Sequence, residues 1–333
     1  MRILTLALVA MLLPACSSTK ERGAPRPVYR VWPEGPAAPR LAYTGSFRTP
    51  KQAGLRWIGV SWLSRWLFGG PQGDLVRPFG LATDESNNLF IADTGRAAVS
   101  FLDFSRKTWQ SWNKIGSIEL IAPVAVATRA GVFYVADSGL AKVLAFNAKG
   151  ELLFEARQDF QRPAGLAICD AKLYVADTAA HKIFAFDLSG SFLFAFGSRG
   201  AGPGEFNFPT HLAADNQGRL YVTDSMNFRV QIFDSQGHWQ KAFGQAGDGS
   251  GSLSRPKGVG VDRHGNIYLV DALFDNVQIF NEAGDFLLAF GERGDGPGQF
   301  WLPAGLAVTV NDQIFVADSF NRRVQEFKLL PKP

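Results

Sequence analysis

Cysteine, methionine and histidine are scarce in this chain of 333 residues, which holds 2, 3 and 4 of them. One cysteine, Cys16, closes an apolar N-terminal leader, so the body keeps Cys169 alone and cannot form an internal disulfide. The fold must hold by packing, without the cross-links that stabilise many exported domains. Cys169 lies in the run Leu166-Ala167-Ile168-Cys169, where a small buried hydrophobe is expected rather than a nucleophile. After the leader, no apolar run reaches the ~20 residues that a membrane-spanning helix needs. The body also lacks a charge excess, because 28 of the 34 basic and 28 of the 30 acidic residues lie from Leu41 onward. The formal net charge of +4 therefore belongs to the segment before Leu41, and the body carries no global electrostatic footprint for nucleic acid.

What is present begins with a signal for export. Arg2 precedes an apolar stretch over residues 3–13 in which Thr5 alone is polar. A charged start, a short apolar core and a small-residue exit describe a secretory signal peptide, set at residues 1–15. The exit, Leu13-Pro14-Ala15-Cys16, resembles the lipobox of bacterial lipoproteins. That resemblance implies cleavage before Cys16, lipidation (palmitate and diacylglyceryl) of this residue, and a membrane anchor that requires no transmembrane helix. An ordinary secretory signal that happens to contain a cysteine is the other reading. Ser17 in place of an aspartate points to the outer membrane rather than inner-membrane retention, within the cell envelope. Residues 16–39 carry prolines at 25, 27, 33, 36 and 39 and read as an extended, basic tether able to rest on anionic headgroups.

A short apolar strand ending in aspartate then recurs along the chain. Its copies end at Asp93, Asp137, Asp177, Asp224, Asp271 and Asp318, with intervals of 44, 40, 47, 47 and 47 residues. Each unit opens on a proline and a short apolar run, and adds two further strands bounded by Gly, Asp and Asn. Four antiparallel strands per repeat make a propeller blade, so the fold class is all-β, a six-bladed β-propeller over residues 75–330. The sixth unit stops after its third strand. The isolated segment at residues 40–48, with strand composition at 40–47 (RLAYTGSF), is expected to supply the missing outer strand, since an open edge would expose a row of unpaired backbone groups. Between this closing strand and the first blade, an insert at 49–74 contains residues 56–68 (RWIGVSWLSRWLF). There Ile58, Trp62 and Trp66 fall four apart, and a short amphipathic helix is expected. Membrane contact, partner docking and packing beneath the propeller are all open for it.

Three patterns carry a family resemblance: Pro-x-Gly-Val-x-Val-Asp, Asp-Ser-x-Asn-x-Arg-Val-Gln and Phe-Gly-x-x-Gly-x-Gly-Pro-Gly-x-Phe. The fourth copy reads Asp224-Ser225-Met226-Asn227-Phe228-Arg229-Val230-Gln231, and the sixth reads Asp318-Ser319-Phe320-Asn321-Arg322-Arg323-Val324-Gln325. These resemble NHL repeats. The first two copies depart from the pattern in their turns and lack the Gly-rich linker. NHL propellers include protein-binding, RNA-binding and lyase members, so the resemblance implies a fold and leaves the activity open.

The six aspartates recur in every blade and are expected to cap turns by accepting backbone N–H bonds. The Gly-rich loop at residues 197–204 and its counterpart at 291–298 lack the strand-to-helix context and the Lys-Ser/Thr of a phosphate cradle. The run Asp84-Glu85-Ser86-Asn87-Asn88 lacks the closing Glu of a calcium loop. His181, His238 and His264 fall at turns of three different blades, and no carboxylate follows the inner-strand prolines at 78, 123, 163, 209, 256 and 303. Neither a metal site nor a cofactor is therefore expected. Asymmetry is more informative: Arg77, Arg162 and Arg255 precede the prolines of alternate blades, and with Lys257 and His211 they form a loose basic cluster at one mouth of the channel. Such arginines hold carboxylate or phosphate groups bidentately, or else each pairs with an acid of a neighbouring blade. The expected function is an envelope-facing recognition or scaffold module that binds another envelope protein or an anionic polymer through one face, and not nucleic acid. A hydrolase or lyase resembling gluconolactonases or peptidyl-hydroxyglycine lyases is the alternative.

Overall fold

The computed structural model describes residues 30–35, 37–58 and 74–331. The leader, Cys16, most of the tether, and residues 59–73 of the insert lie outside the described residues.

Each repeat folds as an antiparallel meander that runs outward from a central axis. The first blade holds Pro78–Thr83, Leu89–Asp93, Ala98–Asp103 and Thr108–Trp112. The second holds Pro123–Arg129, Val132–Asp137, Lys142–Phe146 and Leu152–Glu155, and the third Pro163–Cys169, Lys172–Asp177, Lys182–Asp187 and Phe192–Phe196. Pro209–Ala214, Leu220–Asp224, Arg229–Phe233 and Trp239–Phe243 make the fourth; Pro256–Val261, Ile267–Asp271, Asn276–Phe280 and Phe286–Phe290 make the fifth. The sixth contributes Leu306–Val308, Gln313–Asp318 and Arg323–Leu329. Among the described residues the sole helix is a single 3₁₀ turn, Ser225–Asn227, and none is long and apolar enough to cross a membrane.

The second strand of each blade is an unbroken apolar run because it is sandwiched on both faces, and strands so buried show no polar alternation. Leu89–Asp93, Leu220–Asp224 and Ile267–Asp271 are buried at every position, whereas the outer strand Phe192–Phe196 is exposed or half-buried throughout. Six apolar clusters fill the six gaps between neighbouring blades. The buried tyrosines on the second strands satisfy their hydroxyls: Tyr134 donates to the Leu188 carbonyl, Tyr174 to that of Ser235, and Tyr221 and Tyr268 to Asp215 and Asp262.

The ring closes with Leu41–Phe47, which pairs antiparallel with Arg323–Leu329 from Leu41 opposite Leu329 to Phe47 opposite Val324. Leu41 packs into the gap between blades five and six, and Phe47 into the gap between blades six and one. Two short elements differ from the expectations. Val31–Trp32 does not belong to a free tether but adds a fifth strand outside the closing strand. Trp32 explains this, because its ring packs 5.7 Å from Phe290 and 5.8 Å from Phe327, and Arg30 pairs with both Glu34 and Glu292. In the insert, Arg56–Trp57 is a strand running parallel to the outer edge of the first blade at Thr108 and Trp109, and the Ile58 N–H donates to the Trp109 carbonyl, so no helix begins at Arg56. An open sheet edge offers these residues backbone partners that an isolated helical turn lacks.

Candidate functional site at the channel mouth

The six inner strands start on one face of the disc, and the turns after the second strands lie on that same face. Backbone bonds tie the two together in each blade, for example Thr94 N–H to the Arg77 carbonyl, Thr178 to Arg162, Ala272 to Arg255, and Phe320 to Trp301. The recurring aspartates complete the join. Asp93 accepts N–H bonds from Val76 and Arg77 ahead of the inner strand and from Gly95 and Arg96 in the turn. Asp137, Asp177 and Asp271 make equivalent sets.

Asp224 and Asp318 differ on the turn side. Asp224 accepts the Asn207 N–H at 2.7 Å, and its other oxygen receives the side chains of Asn227, Arg229 and Gln231. Arg229 then donates to the carbonyls of Gly202 and Glu205, and Asn227 to that of Gly200. Asp318, Asn321, Arg323 and Gln325 repeat the arrangement on the carbonyls of Gly294, Gly296 and Gln299. These networks occupy the Gly-rich loops internally, so the loops are clamps between blades.

At the start of the inner strands the ladder slips. Between Pro78 and Leu81, Pro209 and Leu212, and Pro256 and Val259, two residues face one on the partner strand. A bulge of this kind re-aims side chains. Where glycine fills the second bulge position the blades touch: a Cβ at Gly165 or Gly258 would lie 2.5 Å from the carbonyl oxygen of Thr210 or Ala304 in the next blade. Blade four carries His211 at this position, and blade two carries Ala125.

His211 stacks across the channel on Phe79 of the opposite blade, with ring centroids 5.7 Å apart and planes inclined by 25°. The Lys257 ammonium lies 5.3 Å from the Phe79 ring centre. Both ring nitrogens of His211 and the hydroxyl of Thr210 are shielded from solvent without a hydrogen-bond partner among the described residues. Burial, reinforced by the Lys257 charge, pushes the His211 imidazole down to about 3, so it is neutral at physiological pH. Burial also pushes Lys257 down to about 8, with the Arg255 charge adding to the effect. Beside His211 is a cavity of about 30 Å³, to which every blade contributes at least one Leu or Val, with the imidazole as its polar side chain.

The structure thus joins Lys257 and His211 through Phe79, with Thr210 next to His211 in the chain; neither Phe79 nor Thr210 stands out in the sequence. Arg77, Arg162 and Arg255 are exposed on the same face, and none forms an ion pair with a carboxylate among the described residues. Arg77 lies over the Phe320 ring at 5.4 Å. His181, His238 and His264 stay apart: His181 contacts the Phe206 backbone, His238 pairs with Asp234, and His264 lies near Asp312. Among the described residues no three His, Cys, Asp or Glu side chains stand close enough to hold a metal ion. Large apolar side chains are exposed around the mouth, including Ile121 at 57%, Leu273 at 53%, Met226 at 49%, and Trp301 and Phe320 at 44%. Trp301 and Phe320 pack against each other with ring centres 5.6 Å apart and planes inclined by 43°.

Comparison with known families finds the description "6-bladed beta-propeller" over residues 152–220, 215–274 and 259–331, together more than half of the chain. The chain belongs to this 6-bladed beta-propeller family. Among solved structures the propeller is similar to a protein of unknown function from Bacteroides thetaiotaomicron, with a TM-score of 0.60 and 14% identity over 77% of this chain and 70% of that one. It is also similar to a streptogramin B lyase, with a TM-score of 0.57 and 12% identity over 77% and 94% of the two chains. A third is the WD40 propeller domain of Doa1, with a TM-score of 0.56 and 13% identity over 77% and 79%. At these identities the likeness shows the fold alone. No curated protein matches the sequence of this propeller.

Proposed function

We propose that this propeller is a recognition module, held to a membrane of the cell envelope through lipidated Cys16, that docks a partner protein bearing acidic groups on the channel-mouth face. One observation carries the reading: this face combines exposed Trp, Phe, Met, Leu and Ile side chains with three arginines that lack carboxylate partners among the described residues. Interface cores are enriched in aromatic residues, Met and Arg, and exposed apolar groups set among charges mark interaction surfaces. The Asp-Asn-Arg-Gln clamps of blades four and six support an NHL-type repeat within the family.

The alternative, a hydrolase or lyase acting in the channel, draws on the lowered Lys257 and on the streptogramin B lyase neighbour. The His211 ring, shielded and held down to about 3, is too weak a base to partner Lys257, and no carboxylate stands beside it among the described residues. Recognition therefore stands ahead.

The test is site-specific crosslinking in intact cells from probes at Phe320, on the proposed face, and at Val310, on the opposite one. Capture of one protein from Phe320 and not from Val310, with loss of capture in Trp301→Asp, is expected. Equal labelling from both faces overturns the reading. Cys16→Ser should shift the protein from the membrane to the soluble fraction, and unchanged membrane attachment removes the lipid anchor.

A further inference from the structure

The Lys257 ammonium and the His211 ring both lie against Phe79 at the channel mouth, and the His211 nitrogens and the hydroxyl of the adjacent Thr210 have no hydrogen-bond partner among the described residues. We propose that the channel mouth is a carboxylate seat, in which Lys257 supplies the counter-charge, Thr210 and the neutral His211 ring each donate one hydrogen bond, and Phe79 forms the wall. The choice of a partner's acidic side chain as the natural occupant rests on the recognition reading above; the seat itself rests on the channel geometry.

Several features point to this ligand class. A half-buried ammonium held against an aromatic ring, with no carboxylate in reach among the described residues, is a cation awaiting an anion. Shielded donors that find no partner cost stability that a ligand recovers. A neutral imidazole exposes one N–H and one lone pair, so it can donate to one carboxylate oxygen without adding charge. His211 also borders a small cavity of about 30 Å³ that is otherwise apolar, so its ring is the polar group nearest the channel axis there. Arg77, Arg162 and Arg255 stand outside the mouth on blades one, three and five and would draw an anion toward it.

The test uses the full chain and two probes: sodium acetate, and a capped Ala-Glu-Ala peptide with its Ala-Gln-Ala control. Melting is followed at pH 7 against sodium chloride of equal ionic strength. For the wild type, acetate at ten times its dissociation constant should raise the melting temperature by about 2–4 °C. Lys257→Met should lose that response while melting no lower than the wild type in chloride, because it removes a desolvated charge that nothing balances. Thr210→Val should weaken the response and keep the fold, which guards against a failure of the first variant to fold. Tighter binding of the Glu peptide than of acetate, with no binding of the Gln peptide, identifies a side chain of a polypeptide as the occupant. Equal affinity for acetate and the Glu peptide identifies a free small carboxylate. An equal rise in wild type and Lys257→Met, or a Lys257→Met protein that melts well below the wild type, overturns the seat. Loss of the seat with capture from Phe320 intact leaves the recognition face standing.

Discussion

At the scale of single residues, His211 and Lys257 resist charging for the same reason, since each would bring a charge into a poorly solvated layer beside another cation. Their effects on stability fall at opposite ends of the pH range. Burial holds the folded His211 imidazole down at about 3 against its ordinary value of 6.5, so the unfolded state binds more protons between those limits and stability falls as the pH drops through them. The loss is on the order of 5 kcal/mol by pH 3. For Lys257, about 8 folded against 10.5, the unfolded state again binds more protons in the interval, so stability rises between pH 8 and 10.5, by roughly 3 kcal/mol. Chemical denaturation across pH should show both limbs. His211→Leu should flatten the acid limb, and an unchanged acid limb would assign it to other groups. The basic residues were visible in the sequence as departures from the repeat. Their convergence was not, because it depends on bulges that rotate positions after Pro78, Pro209 and Pro256, and the sequence pattern of an inner strand looks the same with or without that slip. Phe79 was hidden for a related reason: an apolar residue in an apolar strand carries no signal until its opposite number across the ring is known.

At the scale of elements, the Asp-Asn-Arg-Gln clamp converts one side-chain motif into a joint between successive blades. Arg323 is the centre of the sixth-blade clamp, with its Nε 2.7 Å from Asp318 and an Nη on the carbonyls of Gly296 and Gln299. Removing one partner of a buried pair strands the other, so Arg323→Met should cost about 3–5 kcal/mol in denaturant unfolding. Arg106→Ala, which removes an exposed side chain whose guanidinium stands 3.7 Å from Asp103, should leave the midpoint within error. A small loss at Arg323 would show that water replaces the guanidinium in the loop. The strands of blades three to five, and the aspartates that end the second strands, were legible because apolar runs between Gly, Asp and Asn leave little alternative. Shorter elements were not. Val31–Trp32 sits among prolines whose composition reads as tether, and its strand character comes from Phe290 and Phe327, more than 250 positions away. Arg56–Trp57 sits in a stretch with helical spacing, and only the outer edge of blade one makes it a strand. Local pattern cannot report a partner supplied by the far end of the chain.

At the scale of the whole molecule, blade stacking makes the six gaps interdependent, and the gap between blades six and one is sealed from both chain ends. Phe47 of the closing strand packs with its ring centre 5.9 Å from that of Trp109 in blade one, while Phe315 and Val324 of blade six line the same gap. Deleting residues 40–48 removes the outer strand of blade six and a share of two core clusters at once. A large drop in melting temperature with a broadened transition is expected, and a melting temperature equal to the wild type would show that the ring holds without its latch. The closure was foreseen from the missing fourth strand of the last repeat, which a ring, unlike an open sheet, cannot tolerate.

That latch also fixes an order of events. Leu41–Phe47 is made before all six repeats, yet its partner Arg323–Leu329 belongs to the sixth, so the circle cannot close until that repeat has been synthesised. Under the export proposed above, this delay would keep the nascent polypeptide incomplete and threadable through the translocation step until its sixth blade is made.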